Sequence, residues 1–155
     1  MEYANLQPGQ NVLDLGTGTG LVAIEAKKKV GAKGTVYGID FTPEMLSEAR
    51  HKARRARLPI KFIQHDINDL DQLIQQIPIK FDVSTCASAF YFIENAVDAL
   101  KRWSEFLKPG GRIIFDITDE KYDLAAYAMY RAAQRLNLPT FPSRNGSVPP
   151  ATSTI

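Results

Sequence analysis

Three aspartates stand at or beside the ends of short apolar runs. Asp14 lies in Val12-Leu13-Asp14-Leu15, Asp40 closes Thr35-Val36-Tyr37-Gly38-Ile39, and Asp66 follows Ile60 to Gln64. Ionised carboxylates accept hydrogen bonds from hydroxyls and amines, and such charge-assisted bonds are the strong ones. Between the first two acids comes Gly16-Thr17-Gly18-Thr19-Gly20. Glycines there permit a tight turn and let a ligand lie against bare backbone, while the helix that follows offers free N–H groups. Each acid taken singly reads as a helix cap or a solvated loop end. Together with the glycine loop they read as one crevice for a polar ligand, with Asp40 where a ribose-reading carboxylate belongs.

Phosphate is not what this loop suits. A dinucleotide fingerprint spaces its glycines as G-x-G-x-x-G, and here Leu21 stands where the third glycine is due, Gly20 having arrived one residue early. No Gly-Lys-Ser/Thr ending of a phosphate loop is present. The remaining chemistry-bearing residues are sparse. The histidines are His51 and His65, and the one cysteine is Cys86. One cysteine allows no internal disulfide, and these three residues give no thiolate metal centre, so no metal is expected. Cys86 sits in an apolar run and reads as a small buried hydrophobe. Arg50, His51, Lys52, Arg54, Arg55 and Arg57 cluster on one helix, which composition favours as a solvated outer face.

The elements that must hold these groups alternate. Strands are expected at Val12–Leu15, Thr35–Ile39, Ile60–Gln64, Phe81–Ala87 and Arg112–Ile117. Helical patterns fall between them. Leu21–Val30 carries Val22, Ala26 and Val30 on one face, and the helix started by Thr42-Pro43-Glu44 carries Met45, Ala49, Ala53 and Ala56. A short helix is expected over Asp69–Gln76, and Val97, Leu100, Trp103 and Leu107 repeat at helical spacing. Pro109-Gly110-Gly111 turns the chain into the fifth strand, and a last helix is expected over about residues 119–136. Near-continuous apolar strands alternating with helices imply a doubly wound parallel α/β sheet covered on both faces.

At 155 residues the chain is long enough for one domain with a substantial core. Apolar residues make up 45% and charged residues 23%, which excludes a disordered, collagen-like or coiled-coil chain. Lys plus Arg is 19 and Asp plus Glu is 17, a net charge of +2 that gives no electrostatic case for nucleic acid or a membrane surface. No signal peptide or membrane-spanning run is legible, so a cytoplasmic location is expected. The domain is expected over residues 1–138, and residues 139–155, rich in Pro, Ser and Thr, as loop or disorder.

With these residues in view, Asp14-Leu15-Gly16-Thr17-Gly18-Thr19-Gly20 resembles the first motif of class I S-adenosylmethionine-dependent methyltransferases. Val36-Tyr37-Gly38-Ile39-Asp40 with Pro43-Glu44-Met45-Leu46 is similar to the family's second-strand motif, and His65-Asp66-Ile67 to its third-strand end. Phe81-Asp82-Val83 resembles the opening of its fourth strand, and Leu107-Lys108-Pro109-Gly110-Gly111-Arg112 the turn into its fifth. Five motifs stand in order between about Leu6 and Thr118, nearest to the small-molecule branch that includes quinone and sterol biosynthesis enzymes.

The resemblance implies a Rossmann-like methyltransferase core, strand order 3-2-1-4-5, and S-adenosylmethionine as cofactor. It implies roles by position. Gly16, Thr17, Gly18 and Gly20 form the loop under the methionine portion, and Asp14 orients its ammonium end. Asp40 accepts from both ribose hydroxyls, and Phe41 lies on the adenine. Asp66 accepts from the adenine amino group and the Ile67 N–H reaches a ring nitrogen. Ala87 and Ser88 border the methyl. Phe90, Tyr91 and Phe92 follow, as walls of an acceptor pocket or as crossover packing, with Tyr91 the candidate to orient an acceptor. Family members carry helices before the first motif and two further strands at the end of the sheet. Here Met1 to Leu6 precede the motif, and nothing after Pro139 reads as a strand pair. The expectation is therefore a five-strand core, an edge strand open to self-association, and slow turnover on a small-molecule acceptor. The alternatives are a non-catalytic S-adenosylmethionine-binding module acting through a protein partner and, disfavoured by Leu21, a nicotinamide-binding domain.

Overall fold

The computed structural model describes residues 4–93 and 95–116. Five strands, β1 (Val12–Leu15), β2 (Val36–Asp40), β3 (Lys61–Gln64), β4 (Phe81–Cys86) and β5 (Leu107–Phe115), form one parallel sheet in the order β3-β2-β1-β4-β5. The helices between them are α1 (Leu21–Val30), α2 (Pro43–Arg55), α3 (Asp71–Gln76) and α4 (Ala96–Ser104), with a 3₁₀ turn over Phe90–Phe92. The sheet reverses direction of growth at β1, which starts towards β2 and resumes at β4. Loops leaving β1 and β4 therefore diverge there and open a crevice at the carboxyl ends of the strands.

β1 and β2 are buried along their whole length because they are covered on both faces. One face packs Leu13, Leu15, Tyr37 and Ile39 with Leu70, Leu73, Ala99 and Trp103. The other packs Val12, Val36 and Val83 with Ala23, Ala26 and Val30 of α1. β3 lies at one end of the strand order, with Lys61 and Gln64 exposed, and a lysine on an end strand discourages further pairing.

Several expectations about helix faces are corrected. In α2, Ala49 and Ala53 are buried as expected, but Leu46 takes the place of the exposed Met45, and Ala56 is exposed just past the end of the helix. In α1, Ala23 rather than Val22 is buried with Ala26 and Val30. In α4, Ala99 and Trp103, four residues apart, face the core, and Val97 is 63% exposed. Leu107 belongs to β5 and not to that helix. β5 is longer than expected at its start. The Pro109-Gly110-Gly111 stretch lies within it as an irregularity, the register with β4 shifting between Phe81 and Val83. The helix expected over 119–136, the tail 139–155 and the end of the fifth strand at Ile117 lie outside the described residues.

Candidate functional site

The loop after β1 is built from glycines whose backbone no other residue adopts easily. Gly16 has φ 68° and Gly18 φ 53°, in the left-handed region where a Cβ costs roughly 1–2 kcal/mol. A Cβ on Gly16 would lie 2.5 Å from the Cβ of Ala89, so this loop closes against the segment after β4. A Cβ on Gly18 would meet nothing within 4 Å, so the loop is bare and open on that side. The Thr17 N–H donates to the Ile39 carbonyl of β2 at 2.8 Å, which fixes the loop to the sheet.

Asp14 is 1% exposed. Its carboxylate accepts the hydroxyl of Thr17 at 2.6 Å and that of Thr85, in β4, at 2.7 Å. The N–H of Ala23, in the first turn of α1, also favours the ionised form of this carboxyl. Gly20 at the N-cap of α1 has no side chain to serve the first-turn amides. Burial pushes the Asp14 carboxyl up to about 6, against the lowering effect of these three donors; the nearby Asp40 charge pushes it the same way as burial.

Asp40, 8% exposed, ends β2. One carboxylate oxygen accepts the Gly18 N–H at 2.8 Å and the other the Thr42 N–H at 2.9 Å. A carboxylate offers about four lone-pair sites, so each oxygen keeps acceptor capacity while its orientation is fixed. Phe41, next along, is 69% exposed. Asp66 is exposed after β3, where one of its oxygens accepts the Asn68 N–H at 2.9 Å. Ile67 is buried beneath it, and its carbonyl accepts the Trp103 indole N–H at 3.3 Å.

Ala87 and Ser88 are exposed where the chain leaves β4. Ser88 has φ 55°, an uncommon conformation for a residue with a side chain. Its N–H donates to the Asp116 carboxylate, beyond β5, at 2.6 Å, and this bond holds the unusual turn. Phe90 stacks on Phe115 with ring centroids 4.2 Å apart and meets Trp103 edge-on at 5.9 Å, so of its two readings it takes the packing one. The side chain of Tyr91 lies outside the described residues. Cys86 is buried and its thiol is pushed up to about 12 by burial, then by the Asp14 and Asp116 charges, which leaves it no thiolate at neutral pH.

The loops after β1, β2, β3 and β4 thus bring Gly16, Gly18, Asp40, Asp66 and Ser88 to one end of the sheet. Sequence reading missed Thr85, Ala89, Asp116 and the part played by Gly38. Only Gly38 carried a signal, since a glycine inside a strand marks a close approach of something else. A Cβ there would lie 2.8 Å from the Thr17 hydroxyl. Among the described residues no group of three His, Cys, Asp or Glu side chains could hold a metal ion, and no helix is long and apolar enough to cross a membrane.

Residues 6–142 match the family described as Methyltransferase domain. The chain belongs to that family. Among curated methyltransferases it is similar to the Ubiquinone/menaquinone biosynthesis C-methyltransferase UbiE of Bdellovibrio bacteriovorus, with 39% identity over 114 residues, 74% of this chain and 46% of that one. It is 32% identical to the 2-phytyl-1,4-naphtoquinone methyltransferase of Synechocystis over 81% of this chain and 52% of that one. The chain spans about half the length of these two curated relatives. Among solved structures, an S-adenosylmethionine-dependent methyltransferase from Clostridium acetobutylicum superposes with a TM-score of 0.59 at 30% identity, over 81% of this chain and 49% of that one. The methyltransferase fold and the strand order expected from the motifs are therefore those of the molecule.

Proposed function

We propose that this chain is the cofactor-binding core of an S-adenosylmethionine-dependent methyltransferase whose acceptor is a small molecule of the quinone-precursor kind. The observation that carries the reading is the bond between Gly18 and Asp40: it sets a fixed carboxylate beside a bare, open stretch of glycine loop. That donor and acceptor set suits an adenosyl compound. Asp40 would take the ribose hydroxyls, Phe41 would cover the adenine, and Asp66 with the Ile67 N–H would meet the adenine edge. Gly16, Thr17, Gly18 and Gly20 would pass beneath the methionine portion, with Asp14 behind them. Ala87 and Ser88 would border the reacting end. The quinone class is supported by the activities for which the two relatives are named.

When bound, S-adenosylmethionine supplies an activated methyl group on a sulfonium, and its leaving group is already good. The chain's own task is to orient and to exclude water. Effective alignment of nucleophile and methyl at about 3–3.5 Å can supply much of the rate enhancement. No general base is required of the residues described, and Tyr91 remains the candidate to orient an acceptor.

The test is a thermal-shift series with S-adenosylhomocysteine, S-adenosylmethionine and NAD, followed by transfer of a labelled methyl to a quinol acceptor. Ligand at a hundred times its dissociation constant adds about 2.7 kcal/mol, a rise of a few degrees for a domain of this size. A shift with NAD alone overturns the reading. A shift with the adenosyl compounds and no transfer to any acceptor favours the non-catalytic module.

A further inference from the structure

Three residues lie in one row across the centre of the sheet: Asp14 of β1 pairs with Gly38 of β2 on one side and with Thr85 of β4 on the other. The row has a division of labour. Gly38 contributes no side chain, and the space it leaves admits the Thr17 hydroxyl, which a Cβ would approach to 2.8 Å. Thr85 contributes a hydroxyl that donates to one oxygen of Asp14 at 2.7 Å. The other oxygen of Asp14 accepts Thr17, inside the glycine loop, at 2.6 Å. Thr85 is 4% exposed and Thr17 6%, so water has little access to replace either bond. The β4 strand therefore reaches the glycine loop through one buried carboxylate.

We propose that Thr85 is a positioning residue for cofactor binding: through Asp14 it fixes Thr17 and so holds the glycine loop in its ligand-ready shape. This rests on the functional reading above. The physical reason is the number of donors. An ionised carboxylate accepts both hydroxyls at once, one on each oxygen. Protonation turns one of its oxygens into a donor and removes the charge that strengthens both bonds, so the hold on the loop weakens. Donors to the ionised form are what keep it ionised in a buried place. Among the described residues, the other ionisable groups that bear on Asp14 are Asp40 in β2 and Cys86 in β4. Asp40 opposes its ionisation and Cys86 stays neutral, so neither can stand in for the missing hydroxyl. A role confined to packing would depend on the volume of the Thr85 side chain. The proposed role depends on its hydroxyl.

The experiment is calorimetric titration of the full chain with S-adenosylhomocysteine between pH 5 and 8, for the unsubstituted protein, Thr85→Val, Thr85→Ser and Thr85→Val in an Asp14→Asn background. The expected result for Thr85→Val is a loss of roughly tenfold in affinity at pH 7, the size of one charge-assisted bond. Its acid limb should also move to higher pH. Thr85→Ser keeps the hydroxyl and should retain both affinity and limb, and in the Asp14→Asn background the valine should leave the pH profile unchanged. Should Thr85→Val fail to fold, Thr85→Ala set against Thr85→Ser gives the same contrast. Equal losses in the serine and valine variants, or an unmoved acid limb, overturn the proposal. Absence of binding by the unsubstituted chain would instead sink the functional reading itself.

Discussion

The backbone N–H of Gly18 donates to the Asp40 carboxylate at 2.8 Å, across a separation of 22 residues. The bond joins the loop after β1 to the end of β2. It makes Asp40 a fastener of the glycine loop, and on the function proposed above Asp40 is the acid that meets a ligand lying on that loop. Asp40→Ala is therefore expected to weaken S-adenosylhomocysteine binding by about a hundredfold. Two bonds from ribose hydroxyls to a charged group are worth ~1.5–3 kcal/mol each and do not add fully; a loss near 3 kcal/mol is about two decades in affinity. Asp98→Ala, on the exposed side of α4, removes a carboxylate that accepts from Asn95 and pairs with Lys101 far along the chain from the glycine loop, and should change binding little. Isothermal titration of the two variants decides the matter: comparable losses would mean the crevice is elsewhere.

What the sequence made legible follows from what kind of signal each feature leaves. β1 was read to the residue because Val12 and Leu15 are apolar on both faces and Gly16 ends the run. Asp40 and the glycine loop were legible because charge and missing side chains are visible in the residue types themselves. Thr85 was not, because a threonine in a strand is ordinary, and its importance comes from pairing with Asp14 across 71 residues. Asp116 was hidden for the same reason: its partner Ser88 lies 28 residues away. The inward face of α2 was misread only at its start, where Met45 and Leu46 are both apolar and packing chooses between them. The start of β5 was misplaced because Pro109-Gly110-Gly111 reads as a turn, whereas the fold absorbs it as an irregularity beside Phe81 and Val83.

Gly16 and Gly18 differ in what a methyl group would meet, and two alanine substitutions should separate stability from binding. Both positions have positive φ, so each alanine costs roughly 1–2 kcal/mol of backbone strain. At Gly16 the new Cβ would also lie 2.5 Å from that of Ala89, and overpacking adds typically 1–3 kcal/mol. Urea unfolding should therefore show Gly16→Ala the less stable of the two by about 1–3 kcal/mol. At Gly18 the methyl enters open space in the free protein. If a cofactor lies there, Gly18→Ala should lose more affinity than its modest loss of stability would suggest. A Gly18→Ala protein that binds S-adenosylhomocysteine as well as the parent would remove the ligand from that face of the loop.

The Asp14 carboxyl gives the fold a pH dependence opposite in sign to that of a salt-bridged acid. Burial raises it from 3.8 to about 6 in the folded chain. Below pH 4 it is protonated in both folded and unfolded states, and its contribution to stability is then at its most favourable. As pH rises from about 4 to about 6 the unfolded chain releases this proton while the folded chain keeps it, so stability falls across that window. Two pK units correspond to roughly 3 kcal/mol. Asp14→Asn removes the titration while keeping the size of the side chain. The stability of the parent relative to Asp14→Asn should therefore decline by about that amount between pH 4 and pH 7. Titrating groups common to both proteins cancel in the difference. Denaturant unfolding of the pair at pH 4, 5, 6 and 7 measures it, and two parallel stability curves would show that Asp14 keeps an ordinary carboxylate's behaviour in its place between Thr17 and Thr85.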